Sequence, residues 1–378
     1  MDFSLTEDQQ LIADGFAELM NDDSWEPYFR ECDDKHEYPQ RWVKSICDLG
    51  FDRILLPEEY DGLGLDWSTL AAAYEALGRA GAPTYILYQL SGWDTFIREG
   101  SDEQRDAILS SVGTGNQIVN FAMTEPSAGS SWNDMRTTYT RKDGKIYLQG
   151  QKTFQTSGMH VPYMVVMARN SEDMSVYTEF FVDMSSKGIK REPLNKLGLR
   201  MDSCAVIYFD NVELEEKDIF GTEGNAFMRG VQDFDQERFL VALSNYGTAY
   251  CAYEDTAKHA NERVQGTKPI AAYQLIQEKF CNMKIALTNM RNMLFEIAYK
   301  HDHGTMGRGD CSMAKYYCSQ ASSMIVDNAV QIFSGVAVTG EHRLQRFYRD
   351  IRVDHISGGT DEMMILTAGK QALREYRK

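Results

Sequence analysis

The stretch HISGGTDEMM, residues 355–364, sets two glycines directly before a Thr-Asp-Glu triplet. Glycine takes backbone angles that other residues refuse. Gly358 and Gly359 therefore either join two elements or keep side chains away from something that must approach the chain. A second stretch, FAMTEPSAGS at 121–130, is a turn-rich run where helical pattern gives way to strand pattern. Other chemistries lack their residues. No Glu-x-x-His pair occurs in the C-terminal half, and His301, His303 and Asp354-His355 have no partners at ligand spacing, so no metal is expected. GLGLDW and GTGNQI miss the third glycine and the preceding strand of a dinucleotide fingerprint, and the nucleophile elbow G-x-S-x-G is absent.

The elements that must carry these stretches fall into three blocks. Residues 1–117 have helical periodicity, opened by a capping box of Thr6 and Gln9 and followed by Leu11, Ile12, Phe16 and Leu19 on one face. Residues 118–228 alternate β-formers: RTTYTRKDGKIYLQGQKTF turns at Asp143-Gly144, and VPYMVVMA, VYTEFFVDM and AVIYFDNVEL predict further strands of a small barrel or sandwich. Helices return in 229–378, where Ile276, Phe280, Met283, Leu287, Met290, Leu294 and Ile297 share one face of a bundle helix, a pattern of core packing. The fold class is α+β and multidomain.

Composition narrows the function. A formal charge of -17 is wrong for a nucleic-acid surface. The acidic start MDFSLTEDQQ does not resemble a secretory signal, and no apolar run approaches a membrane span, so a cytoplasmic protein is expected. Seven cysteines, an odd number without a CxxC pair, predict free thiols acting as small buried apolar residues.

FAMTEPSAGS, QKTFQT at 151–156, QIFSG at 331–335 and the opening SGGTDEM together resemble the acyl-CoA dehydrogenase family, and the resemblance spans essentially the whole chain. It implies a helical domain, a central β-barrel domain and a C-terminal four-helix bundle, with FAD between the last two and a homotetrameric assembly. It implies that Met123 and Thr124 meet the flavin, that Phe154 packs on its ring with Gln155 beside it, and that Thr156 bonds near N5. Arg263, Gln274 and Gln331 to Gly335 would hold the ADP part, partly across a subunit contact, with Thr360 and Glu362 at the ring's other side. Ser130, Asp235 and Arg238 would meet the acyl-CoA.

Many members carry a catalytic glutamate at the position of Gly358; a subset places it in a Glu-Arg pair early in the C-terminal domain. FDQERFLVAL, residues 234–243, has that pair, so Glu237 is the implied acid/base and Gly358 and Gly359 leave it room. The alternative keeps Glu237 as an exposed helix residue and gives the chemistry to Asp361 or Glu362. Within the family the chain is most similar to reductases of a trimethylammonium enoyl-CoA that take electrons from an electron-transfer flavoprotein. Tyr85, Tyr88, Trp93 and Asp94 fall in the segment lining the acyl pocket and would suit such a cation; the alternative makes them helix core and cap. A general short- or branched-chain dehydrogenase, or a non-catalytic acyl-CoA-binding subunit, also remains open. Departures from the family pattern are Gly266 for an aromatic in RVQGT, Ser127 and Ser334 for glycines, and Ser131 for an aspartate.

Overall fold

The computed structural model describes residues 4–374, 376 and 377, without the side chains of 93–95 and 227–233. Among the described residues, seven helices come first: α1 (Glu7–Leu19), α2 (Trp25–Lys35), α3 (Gln40–Asp48), α4 (Trp67–Arg79), α5 (Tyr88–Ser91), α6 (Trp93–Glu99) and α7 (Asp102–Leu109). The expected capping box starts α1: the Gln9 amide donates to Thr6 Oγ1 at 3.2 Å and the Thr6 amide to Gln9 Oε1 at 3.1 Å. Asp66 caps α4 through the Thr69 amide at 2.8 Å. Asp302, far along the chain, accepts the Trp67 and Ser68 amides at 2.9 and 3.1 Å, which fastens the start of α4 to the C-terminal bundle.

Eight strands follow: β1 (Val119–Ala122), β2 (Thr138–Lys142), β3 (Lys145–Gln155), β4 (Tyr163–Asn170), β5 (Tyr177–Asp183), β6 (Ile189–Pro193), β7 (Ala205–Leu214) and β8 (Ile219–Phe220). They form one sheet in the order β6-β7-β3-β2-β4-β5-β8, with β1 parallel to β4. Asp143 and Gly144, both at positive φ, make the two-residue turn between β2 and β3. Leu148, Val166, Phe180 and Phe209 share one core, and Ile189 and Ile219 from the two edge strands pack on it. The sheet thus wraps a single core like a barrel, although β6 and β8 are not hydrogen-bonded to each other.

The bundle consists of α8 (Ala226–Glu262), α9 (Gln274–Asp302) and α10 (Asp310–Phe333), with α11 (Leu344–Val353) and α12 (Asp361–Arg374) against it. The predicted face of α9 packs as expected: Met283, Leu287, Met290, Leu294 and Ile297 are buried, and Ile276 and Phe280 are partly buried at its open end. One expectation needs correction. Asp310–Val338 is long and apolar enough, at mean hydropathy 1.3, to cross a membrane by length and composition. Here it is the inner helix of the bundle, burying Cys311, Ala314, Cys318, Ile325 and Ala329; small and polar residues had interrupted its apolar run. Where α4 crosses α8, Gly78 faces Gly247 so closely that a Cβ on Gly78 would lie 2.5 Å from the Gly247 Cα.

Candidate active site

The TEP turn is held from behind by a buried ion pair. Glu125 and Lys152 lie 2.9 Å apart with side-chain exposures of 2% and 0%. The carboxylate also accepts the amides of Arg136 at 2.6 Å and Thr137 at 3.0 Å, and Lys152 Nζ donates to the Met123 carbonyl at 3.0 Å. Burial drives the Lys152 amine down to about 8, against the pull of Glu125. Burial raises Glu125, but Lys152 and the surrounding donors outweigh it and its carboxyl titrates below the usual range. Sequence reading missed this pair because its members are 27 residues apart and look like ordinary surface charges.

Thr153 donates its amide to the Thr124 carbonyl at 2.9 Å, which brings 151–156 beside the TEP turn as expected. Gln155 is buried, and its amide nitrogen donates to the Thr153 and Thr124 carbonyls, so its side chain braces the turn. Phe154 stands at φ +57 with its ring 67% exposed. A left-handed backbone angle costs a non-glycine residue energy, and here it presents an aromatic side chain to the surface. The amides of Met123 and Thr124 donate to no backbone carbonyl outside the regular elements among the described residues. A flat heteroaromatic cofactor fits here, with backbone amides for its rim and an exposed aromatic side chain for its face. Thr156 is partly buried, its carbonyl taken by Asn120 Nδ2 at 2.6 Å, and Ser157 anchors the next step on Asp202. Ser130 is exposed on the turn. Ser127 keeps an ordinary negative φ and donates its hydroxyl to the Asp134 carbonyl, so that departure is accommodated.

A second cluster surrounds the two glycines. Gly358 and Gly359 have φ of +62 and +98, a conformation that favours glycine at both positions. A Cβ built on Gly358 would lie 4.0 Å from both Cγ and Oε1 of Glu237, and one on Gly359 would strike Met364 at 2.6 Å. The Glu237 carboxylate therefore sits beside the bare Cα of position 358. Its side chain is solvent-exposed although Phe239, Leu240 and Val241 next to it are buried. Enough protein surrounds it that burial pushes its carboxyl above the usual range, opposed by Arg238 and Lys315. The carboxylate is thus open to solvent on one side and enclosed by protein on the others.

Arg238 Nη1 donates to Asp235 Oδ1 at 3.1 Å, and its Nε is buried without a partner, a donor left for an anionic ligand. The rival acids are differently placed. Asp361 is engaged by His355 Nδ1 at 2.5 Å and Gln320 at 2.8 Å, while Glu362 is exposed on the first turn of α12. Thr360 caps that helix through the Met363 amide at 3.4 Å. Lys315 and Asp354, both buried here, were not anticipated. Lys315 stands at the helical spacing of Cys311, Cys318 and Ser322, a stripe of otherwise uncharged residues, and that spacing was the available signal.

The proposed cation pocket changes. Tyr85 is buried in the core and its hydroxyl accepts the Met201 amide at 3.3 Å, so its ring is committed to packing. Tyr88 is partly buried near Ser244, Asp354 and Glu237. The side chains of Trp93 and Asp94 lie outside the described residues.

The residues expected on the ADP part form a separate, exposed region. Arg263, Gln274, Gln331 and Gly335 are all exposed, and His259 on Phe333 at 4.1 Å joins the end of α8 to the QIFSG stretch. Glu237 and Arg263 are 26 residues apart along α8 and its cap, roughly 39 Å at 1.5 Å per residue. Ser334 takes φ +60 and ψ -140, angles that favour glycine.

Comparison with known proteins covers the chain in three pieces. Residues 6–116, 120–212 and 226–373 match the models described as acyl-CoA dehydrogenase N-terminal, middle and C-terminal domains. Butyryl-CoA dehydrogenase from Megasphaera elsdenii is 26% identical, with a TM-score of 0.91 over 99% of this chain and 100% of that one. A chain from the electron transferring flavoprotein study of Acidaminococcus fermentans, directed at flavin-based electron bifurcation, is 28% identical with a TM-score of 0.90 over 99% and 100%. A glutaryl-coenzyme A dehydrogenase with glutaryl-CoA, 24% identical, shares the fold at a TM-score of 0.90 over 99% and 97%.

Proposed function

The chain belongs to the acyl-CoA dehydrogenase family, and from that premise we propose that it interconverts a 2,3-enoyl-CoA and the saturated acyl-CoA with Glu237 as the acid/base group. Family membership makes it a flavin-dependent oxidoreductase acting on CH–CH bonds, with FAD as cofactor. The observation that carries the assignment of Glu237 is its carboxylate beside the bare Cα of Gly358. FAD, when bound, supplies the hydride acceptor or donor for the substrate's Cβ.

The chain's own residues do the rest. In oxidation the Glu237 carboxylate takes the proton from Cα as the hydride leaves Cβ and the C=C bond forms; in reduction the protonated carboxyl returns it. Burial raises its affinity for a proton above that of an ordinary carboxylate, which helps it both to take the proton and to return it. Arg238, whose buried Nε–H has no partner among the described residues, is the donor available to an acceptor group of the acyl-CoA. Phe154 and the amides of Met123 and Thr124 receive the ring, and Arg263, Gln274 and Gln331–Gly335 of a second copy receive the ADP end in a homotetramer. The separation of Glu237 and Arg263 along α8 supports that sharing.

For the acyl group we favour crotonobetainyl-CoA, reduced to γ-butyrobetainyl-CoA in carnitine metabolism in the cytoplasm, with electrons from an electron-transfer flavoprotein. Support comes from TTYTRKDGKIYL, KLGLRMDSC and FYRDIRVDHISGGTDEM in the sequence and from Tyr88 beside the Glu237 cluster. Anaerobic titration with butyryl-, isovaleryl- and γ-butyrobetainyl-CoA, following flavin bleaching, tests it. Selective bleaching by the betainyl thioester is expected; bleaching by butyryl-CoA alone would assign a short-chain dehydrogenase.

A further inference from the structure

We propose that Lys315, on α10, is a positioning residue for the acid/base step: its ammonium pins the Gly358-Gly359 turn by a carbonyl and sets the charge that Glu237 meets. The inference rests on Glu237 being the acid/base group. Lys315 Nζ has no solvent exposure and donates to the Gly359 carbonyl at 2.7 Å. A desolvated ammonium is retained at a cost of several kcal/mol unless charges answer it, and here they come from three other elements. Asp361 at the start of α12 lies 3.8 Å away. Asp354, just past α11, and Glu237 on α8 complete the acidic side, with Arg238 opposing from α8.

The other two acids have hydrogen-bond partners, with Asp361 Oδ1 left to face Lys315. Asp361 has His355 and Gln320; Asp354 has Asn245 at 3.2 Å and Ser357 at 3.0 Å, with Tyr88 of α5 nearby. Glu237 is the one carboxylate of the group that is solvent-exposed. Lys315 therefore acts on the substrate side only through it and through the turn. The Gly359 carbonyl belongs to the residue after Gly358, whose Cα flanks the Glu237 carboxylate. A displacement of that carbonyl shifts the floor on which the thioester must lie. Loss of the charge makes Glu237 hold its proton more tightly.

Two functions of one side chain separate by substitution. Lys315→Gln keeps a donor for Gly359 and removes the charge; Lys315→Arg keeps the charge and alters the reach; Lys315→Met removes both. The readouts, on the FAD-loaded protein, are the pH profile of flavin reduction by butyryl-CoA and the exchange of Cα hydrogens in 3-thiabutyryl-CoA. That thioester has sulfur at the β position and cannot yield hydride, so NMR in D2O follows Glu237 alone. In Lys315→Gln and Lys315→Met the acid limb of both profiles should move up by about one pH unit, a tenfold loss on the limb, with thioester affinity within about twofold. Lys315→Arg should keep the limb in place and lower the plateau. Unmoved limbs in both neutral variants would overturn the proposal. So would a failure of all three variants to fold, which would make Lys315 a folding residue. Wild-type exchange in Glu237→Gln would instead remove the underlying reading, whatever Lys315 does.

Discussion

The Glu237 cluster and the Arg263–Gln331 region lie toward opposite ends of α8 and differ in almost every physical respect. Around Glu237, charges are buried and answered within one chain: Lys315 by Gly359 and three carboxylates, and, behind the TEP turn, Lys152 by Glu125. At the far end the four expected contacts are exposed, and Ser334 occupies a glycine conformation. Reaction geometry must be rigid before substrate arrives, so the chain builds it internally. A contact for a cofactor's tail can stay open until assembly covers it.

The sharpest way to break this contrast is Glu237→Gln, which should slow flavin reduction by butyryl-CoA by roughly 10²–10⁴-fold while the protein stays yellow. Arg263→Ala should do the reverse, losing FAD on dilution while leaving bleaching rates of the loaded fraction intact. Next in size is Glu125→Gln, which strands a buried ammonium and should lower unfolding stability by about 3–5 kcal/mol in a denaturant titration. A loss below about 1 kcal/mol would show that water reaches Lys152.

The pH dependence of stability distinguishes the regions as well. Burial raises Asp354 to about 7 and Asp350 to about 6, against the ordinary 3.8. Between those values the folded chain binds protons that the unfolded chain does not, so stability falls as pH rises from about 4 to 7, by at most about 1.4 kcal/mol per unit for each group. Asp354→Asn should flatten the upper part of that slope in thermal melts, and an unchanged slope would exclude Asp354 as its source. The smallest expected effect is Ser334→Gly, which relieves the strained angle and should stabilise the far end by about 1 kcal/mol, seen in melting and in tighter FAD retention. Destabilisation there would mean that the hydroxyl has a compensating role.

Local signals were legible in the sequence. The Thr6–Gln9 box, the Asp143-Gly144 turn and the face of α9 each depend on residues a few positions apart, and periodicity or turn chemistry reports them directly. So was the order of helical, β and helical domains, through resemblance to a family. What escaped reading was long-range electrostatics. Asp354 and the Lys152–Glu125 pair are charged residues inside the protein that nothing local marks as enclosed, and Lys315 was marked only by its place on an otherwise uncharged helical stripe. Tyr85 packs in the core because nothing local tells a packed aromatic from a pocket-lining one, and the span Asp310–Val338 was passed over because serines and a lysine break its apolar run.

The crossing of α4 and α8 sets the last condition. Gly78 and Gly247 bring two backbones together with only hydrogen atoms between them, and the helix that meets the N-terminal domain there also bears Glu237 ten residues earlier. Alanine at either glycine would act as a wedge, tilting the carboxylate's helix away from its target. The reach of the proton-transferring group is thus gauged from outside the cleft, by two residues that never see the thioester.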